Sequence, residues 1–159
     1  GHHRRQRQMC IRDRFKGMFV TAVFGKLNIK TGELVFINAG HESILTFDQN
    51  KNYEYIKSDM PPIGIVKYFT ESMVKSSTIN LKDKTFVVYT DGVTEGYMKN
   101  GEELGAEGVQ KIINEMSQVT PKSIVEAIEK ELNWGAEKLR DDITCMAINI
   151  NNTELIKKK

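Results

Sequence analysis

Apolar and polar residues alternate along the first half of the chain in the manner of short β-strands. Residues 18–29 and 33–38 are rich in β-branched and aromatic side chains, and the Lys-Thr-Gly turn between them predicts a hairpin. Residues 43–47 and 72–79 predict two further strands, and the Asn- and Asp-rich segment 48–52 is typical of a polar turn. The simplest arrangement of these strands is an antiparallel meander.

The second half of the chain changes from strand to helix. Apolar residues recur close to helical spacing and predict a helix over residues 103–117. Thr120 before Pro121 is typical of a helix start, and the apolar stripe that follows predicts a second helix ending near Gly135. A last apolar run, residues 143–150, predicts a final strand.

Acidic residues stand where two of these strands end. Asp91, followed by Gly92, comes directly after the strand-like run 85–90, and Asp141 and Asp142 directly precede the last strand. If the two strands are neighbours, their acids converge. Hard divalent cations need several fixed anionic oxygens, so the pattern predicts a metal site.

Each of these features also has a plain structural interpretation. The pair Asp91 and Gly92 is a common hairpin turn. Asp141 and Asp142 alone are typical of a solvated strand start. His41 follows a glycine and is more typical of a turn residue bonded to the backbone than of a base or a metal ligand. The joint occurrence of the acids, in this order, favours the metal site.

Composition places the chain among ordinary globular proteins. Its 159 residues make one domain at most, and 40% are hydrophobic and 28% charged. No apolar run approaches the roughly 18 to 20 residues that span a bilayer, and nothing resembles a signal peptide, so we expect a cytoplasmic location and no membrane segment. Cys10 and Cys145 have no spacing that suggests zinc or a disulfide, and we expect unpaired thiols.

Positive charge is concentrated at the two ends of the chain. Residues 1–14 carry five Arg and one Asp, a local charge of +4, and the last three residues add +3, which leaves −5 for the rest of a chain of net charge +2. Basic tails of this kind argue against a folded nucleic-acid surface. We interpret residues 1–14 as a non-native leader, 15–151 as the folded part and 152–159 as a basic tail, so that the native protein begins upstream.

Seven short motifs follow one another between residues 18 and 150. They are Met-Phe-Val-Thr at 18–21, Thr-Gly-Glu-Leu at 31–34, Asn-Ala-Gly-His at 38–41, Ile-Gly at 63–64, Tyr-Thr-Asp-Gly-Val-Thr-Glu at 89–95, Gly-Glu and Leu-Gly within 101–105, and Asp-Asp-Ile-Thr at 141–144. Each motif alone is weak. The set, in this order, resembles the C-terminal part of the PPM-type metal-dependent serine/threonine protein phosphatases, in their SpoIIE-like (RsbU-like) bacterial branch.

The resemblance implies an α+β fold and a reaction. The fold is a four-layer α/β/β/α sandwich, in which two antiparallel sheets pack face to face with a helix layer outside each. Two divalent cations, Mn²⁺ or Mg²⁺, share a hydroxide that attacks phosphoserine or phosphothreonine. The implied substrate and partner is a phosphorylated protein, for which a phosphorylated anti-sigma-factor antagonist is one candidate.

The resemblance also assigns the acidic residues. Asp91 and Asp141 are implied metal ligands, and Gly92 belongs to the same site because it allows close backbone approach. Asp142 is implied to support the ligands by hydrogen bonding more than by coordination. Three hydroxyl side chains are implied to orient these carboxylates: Thr90, Thr94 and Thr144.

Two parts of the usual domain have no counterpart in this sequence. Domains of this family begin with a strand that carries Gly-Asp and a further Asp, and two helices follow it; nothing before Met18 matches, and Asp13 is the leader's only acid. We therefore expect an incomplete sandwich with half of the metal cluster. One sheet should be bare outside, with exposed apolar surface through which the chain associates.

Three functions remain open from the sequence. The first is a metal-dependent phosphatase, of which this chain is a weakly active or inactive piece. The second is a non-catalytic regulatory module that keeps the fold and binds a phosphoprotein without hydrolysing it. The third is a hydrolase that uses the same metal site on another substrate. All-oxygen ligation suits Mn²⁺ and Mg²⁺ equally.

Overall fold

The computed structural model describes residues 17–42, 44–132 and 142–150. Within them the chain forms seven strands, three α-helices and one short 3-10 helix at Glu71–Met73. The strands are β1 (Ala22–Leu27), β2 (Glu33–Ala39), β3 (Ile44–Asp48), β4 (Tyr53–Tyr55), β5 (Ser76–Asn80), β6 (Lys84–Tyr89) and β7 (Cys145–Ile148). The helices are α1 (Asp91–Thr94), α2 (Gly105–Asn114) and α3 (Pro121–Leu132).

The first sheet has the strand order β1-β2-β5, and all its pairs are antiparallel. β1 and β2 form the predicted hairpin, with Leu27 opposite Leu34, and the turn between them is closed by Gly32 at φ 80°. The strand predicted at 72–79 is confirmed only in its second half, because residues 71–73 form the 3-10 helix instead.

The prediction of a meander is wrong after β2. β3 leaves the first sheet and joins a second one, of order β4-β3-β6-β7, in which every pair is also antiparallel. The reason lies in the burial of β3: Ile44, Leu45, Thr46 and Phe47 are all buried, so both of its faces need cover. A strand of this kind belongs in the middle layer of a sandwich.

The two sheets pack face to face, and the helices cover one side. Alternate residues of β6 divide between the two cores: Phe86 meets Phe36 of the first sheet, whereas Val87 lies in the core under the helices. The two longer helices, α2 and α3, contribute Val109, Ile113, Ile124, Ile128 and Leu132 to that helical core. The predicted α+β sandwich of antiparallel sheets is therefore confirmed.

The helix predictions hold with shorter bounds. The helix predicted over 103–117 is α2, and Thr120 caps α3 as expected: its Oγ1 accepts the Ser123 amide at 3.0 Å, while Ser123 Oγ accepts the Thr120 amide at 2.8 Å. The predicted end at Gly135 lies outside the described residues. No helix in the described ranges is long and apolar enough to span a bilayer.

The outer face of the first sheet carries the exposed apolar surface that the sequence predicted. Phe24 on β1 is 57% exposed, and further large exposed side chains occur beside it in the chain, among them Met18, Phe19, Val20 and Ile29. The two longer helices that the structure describes pack on the second sheet instead. Association through it stays a prediction.

Candidate metal centre

The two acid-bearing strand ends lie side by side. β6 pairs with β7 so that Tyr89 stands opposite Cys145, and this antiparallel ladder continues one step further. The Thr90 amide donates to the Thr144 carbonyl at 3.0 Å, and the Thr144 amide donates to Thr90 Oγ1 at 3.2 Å. Asp91 and the segment before β7 therefore meet at one end of the second sheet, as the sequence predicted.

Asp91 begins a helix and not a hairpin turn. It is the first residue of the single-turn α1, and Thr94 Oγ1 donates to the Asp91 carbonyl at 3.3 Å. The Asp91 side chain is exposed. The strand therefore ends in a helical turn that leaves the carboxylate open to solvent and fixes its backbone.

Gly92 makes the closest contact between the two segments. A Cβ on this residue would lie 2.1 Å from the carbonyl oxygen of Asp142. No side chain fits in that space, so glycine is required for the backbone of α1 to touch the backbone of Asp142. Asp141, the second predicted ligand, lies outside the described residues, and its place beside Asp91 stays a prediction.

Asp91 lines an open cleft of about 390 Å³ between the ends of the two sheets. The other lining residues are Phe19, Thr21, Gly40, His41, Glu42 and Thr90. Two carboxylates, those of Asp91 and Glu42, face this cleft, and no Lys or Arg does among the described residues. Sequence reasoning missed Glu42, because only the chain crossing after β2 brings it to Asp91.

His41 is also part of this cleft and joins its two sides. Its Nε2 lies 2.9 Å from the Tyr89 carbonyl oxygen, and its Nδ1 lies 3.4 Å from Thr21 Oγ1. Its own amide donates to Asn38 Oδ1 at 2.8 Å. His41 is thus the backbone-bonded turn residue that its sequence context indicated. The contact with β6 of the other sheet had no signal in the sequence.

The chemistry of the donors fits a hard divalent cation. The cleft offers carboxylate oxygens, whereas Cys145 does not line it, and burial raises the pKa of the Cys145 thiol to about 11, which disfavours the thiolate form that binds metals. Cys145 is unpaired, as expected, and Cys10 lies outside the described residues. In the described ranges no three His, Cys, Asp or Glu side chains cluster closely enough to hold a metal. These residues fit one side of an oxygen-ligand site.

Comparison with known families gives a match along nearly the whole chain. Residues 3–151 match the model of the family described as Stage II sporulation protein E (SpoIIE). The matched range includes most of residues 1–14, and the interpretation of that segment as a leader stays a prediction. A curated relative, Protein IcfG of Synechocystis, is 26% identical over 141 residues, which are 84% of this chain but only 21% of IcfG.

Solved structures share the fold. The SiaA PP2C domain of Pseudomonas aeruginosa superposes with a TM-score of 0.61 at 18% identity, over 82% of this chain and 52% of that one. The phosphatase domain of SpoIIE from Bacillus subtilis gives a TM-score of 0.59 at 14% identity, over 83% of this chain and 59% of that one. The chain thus spans about half the length of these solved chains. It belongs to the SpoIIE family, and its described part has the fold of PP2C phosphatase domains.

Proposed function

We propose that the protein to which this chain belongs is a metal-dependent phosphatase of phosphoserine or phosphothreonine in proteins. One observation carries the proposal: Asp91, at the end of β6, is packed through Gly92 onto the backbone of Asp142, in a cleft lined by carboxylates. Together with membership of the SpoIIE family, this arrangement supports a phosphatase metal centre.

In this proposal Asp91 and Asp141 hold Mn²⁺ or Mg²⁺. When bound, such ions lower the pKa of a coordinated water and offset the charge on the phosphoryl oxygens. Among solved structures of this fold, one SpoIIE phosphatase domain was presoaked with Mn, and one of RsbX is a complex with magnesium. These precedents support the choice of ions.

The remaining residues of the site hold the ligands in place. Thr90 anchors the end of β6 to Thr144, and Thr94 fixes the Asp91 carbonyl. Asp142 contributes its backbone contact with Gly92, and we propose that it supports the ligands by hydrogen bonding. These four residues restrain the backbone that carries Asp91.

The substrate that we propose is a phosphorylated protein in the cytoplasm, with a phosphorylated anti-sigma-factor antagonist as the first candidate. A solved structure that contains both an RsbU and an RsbW domain, from Mycobacterium tuberculosis, supports a signalling context. Because this chain spans about half of the solved phosphatase chains, we propose that alone it has weak activity or none.

The test is an isosteric change of Asp91. Asp91→Asn keeps the shape of the side chain and removes its charge, and we expect Mn²⁺-dependent release of phosphate from a phosphoserine protein to fall at least about a hundredfold. Mn²⁺ binding, followed by electron paramagnetic resonance, should weaken in parallel, which gives a measurement even where turnover is slow. Phosphate release is measured on the complete protein and Mn²⁺ binding also on this chain.

A matched control is available just before the other end of the same strand. Asp83 is exposed at the opposite end of β6, so Asp83→Asn makes the same chemical change far from the cleft and should leave both readings unchanged. Activity that survives Asp91→Asn, or that resists EDTA, would contradict the proposal. Tight phosphoprotein binding without hydrolysis in the complete protein would favour a regulatory module. Preference for small phosphate esters would favour another substrate class.

A further inference from the structure

The chain changes sheets at Gly40 and His41, and this crossing is held from several sides. The Gly40 amide donates to Ser58 Oγ at 2.8 Å, and Gly40 takes φ 72° with Pro62 packed so closely that a Cβ would lie 2.4 Å from the proline ring. The His41 amide donates to Asn38 Oδ1. The backbone at His41 is therefore fixed before its side chain makes any contact.

The imidazole of His41 reaches from this crossing to the end of β6. Its Nε2 lies 2.9 Å from the carbonyl oxygen of Tyr89. A carbonyl only accepts, so Nε2 carries the hydrogen and donates it. In the neutral ring Nδ1 is then an acceptor, and the hydroxyl of Thr21, 3.4 Å away, is placed to donate to it. Both ring nitrogens have partners in this one tautomer.

Tyr89 is the last residue of β6 and stands two residues before Asp91. Other restraints on this strand end come from its own sheet, through Thr144, from the backbone of Asp142, and from α1, where the Val93 amide donates to the Thr90 carbonyl at 2.9 Å. The bond from His41 comes from the opposite wall of the cleft. That wall is where Thr21 and Glu42 lie. The His41 side chain therefore links the end of β6 that precedes Asp91 to the segment that carries Glu42.

We propose that His41 is a positioning residue for the metal centre, whose Nε2–H holds the Tyr89 carbonyl and thereby fixes the Asp91 carboxylate against the other sheet. The inference rests on the proposed function, because it takes Asp91 as a metal ligand. His41 does not touch the metal or the phosphoryl group in this role. Its contribution is to keep the cleft at one width.

Two substitutions separate the donor from the bulk of the ring. His41→Gln keeps an amide N–H that can reach the Tyr89 carbonyl, whereas His41→Leu fills similar space without a donor. We expect His41→Leu to weaken Mn²⁺ binding about tenfold, as removal of groups that orient metal ligands does. His41→Gln should bind within about threefold of the unchanged chain, because the hydrogen bond is restored.

The control removes a comparable bond at the other end of the first sheet. Asn80 Oδ1 accepts the Lys82 amide at 2.9 Å, in the turn between β5 and β6 and next to the β1–β2 turn. Asn80→Leu should lower the melting temperature about as much as His41→Leu and leave Mn²⁺ affinity unchanged. All variants are measured by electron paramagnetic resonance titration of the full chain with Mn²⁺ alone, alongside thermal unfolding.

Three results would overturn the inference. His41→Leu could bind Mn²⁺ as tightly as the unchanged chain; His41→Gln could be as weak as His41→Leu; or Asn80→Leu could weaken binding equally. The first shows that Asp91 needs no link to the other sheet, the second that the donor is not what matters, and the third that lost stability explains the effect.

A measurement without metal keeps this inference apart from the proposed function. Nitrogen-15 spectra of the imidazole at about pH 8 report which ring nitrogen is protonated. The Nε2–H tautomer, with amide shifts at Asp91 and Gly92 in His41→Leu, supports the link, and the Nδ1–H tautomer overturns it. Mn²⁺ binding that is insensitive to Asp91→Asn would instead refute the metal assignment and leave these spectra to decide the position of His41.

Discussion

Replacing Gly92 by Ala tests the contact that joins Asp91 to the segment before β7. A Cβ at residue 92 would lie 2.1 Å from the Asp142 carbonyl oxygen and 2.9 Å from its carbon, whereas real Cβ contacts are essentially never under 3.0 Å. The obstacle is backbone and not the end of a flexible side chain. The two segments must therefore separate by about 1 Å, which is the difference between 3.0 and 2.1 Å.

Two opposing effects determine how much Gly92→Ala changes the free energy of unfolding. Ala is favoured over Gly inside a helix by about 1 kcal/mol, but α1 is one turn long and gains only part of this. Overpacking costs about 1 to 3 kcal/mol, and the separation also weakens the Thr90–Thr144 bonds, each worth about 1 kcal/mol. We expect Gly92→Ala to lower the free energy of unfolding by about 1 to 3 kcal/mol. For a chain of this size, each kcal/mol corresponds to roughly 2 to 4 °C of melting temperature.

The assay combines thermal unfolding, Mn²⁺ titration and amide exchange at Thr90 and Thr144. Gly101→Ala is the control: Gly101 has φ 87° with nothing within 4 Å of its missing Cβ, so that variant has backbone strain of about 1 to 2 kcal/mol without a clash. Both variants should melt earlier, and only Gly92→Ala should lose Mn²⁺ affinity and amide protection. If the Gly92→Ala chain has the melting temperature of the unchanged chain and keeps the Thr90 and Thr144 amides protected from exchange, the proposed close contact is wrong.

Two further predictions concern the helical side of the sandwich and the strand beside the cleft. Thr120→Ala removes the acceptor for the Ser123 amide and should lower the free energy of unfolding in urea by about 1 kcal/mol. Lys122→Ala, an exposed position in the first turn of the same helix, should be close to neutral, and equal losses would refute the capping argument. Burial raises the pKa of Cys145 to about 11 from 9.0, so at about pH 8 its thiolate is roughly a hundredfold rarer than that of an unburied thiol. Alkylation in a Cys10→Ser background should therefore be slow until denaturant is added, and fast alkylation of the folded chain would show that the thiol is not buried.

Local pattern was enough to predict most elements. The alternation in residues 33–38 and the run before Asp91 identified β2 and β6. The acids at the ends of two strands were expected to converge on the condition that those strands are neighbours. The structure meets the condition on which the convergence of the acids depended, because β6 and β7 are paired, and the shared metal site itself stays a prediction.

The crossing of β3 to the second sheet could not be predicted, and the reason is physical. Alternation of apolar and polar residues shows which face of a strand is buried, but it does not show which sheet the strand joins. The sequence identified β3 as a strand, but the run from Ile44 to Phe47 is too short, and Thr46 too polar, to show that both of its faces are buried. Glu42 and His41 depend on that crossing, so they could not be assigned to the cleft from the sequence either.

The end of the sandwich that carries Asp91 is held by hydrogen bonds that involve backbone atoms and by close backbone packing. The two ion pairs found among the described residues lie elsewhere: Lys84 Nζ with Glu54 Oε2 at 3.8 Å, and Lys122 Nζ with Glu126 Oε1 at 3.7 Å, in mostly exposed side chains. Pairs of this kind contribute little stability and are screened by salt. Salt should therefore act mainly on the attraction between the Asp91 and Glu42 carboxylates and a cation. A fall in Mn²⁺ affinity with rising ionic strength, at constant melting temperature, is thus a measure of the charge of the cleft and not of the integrity of its walls.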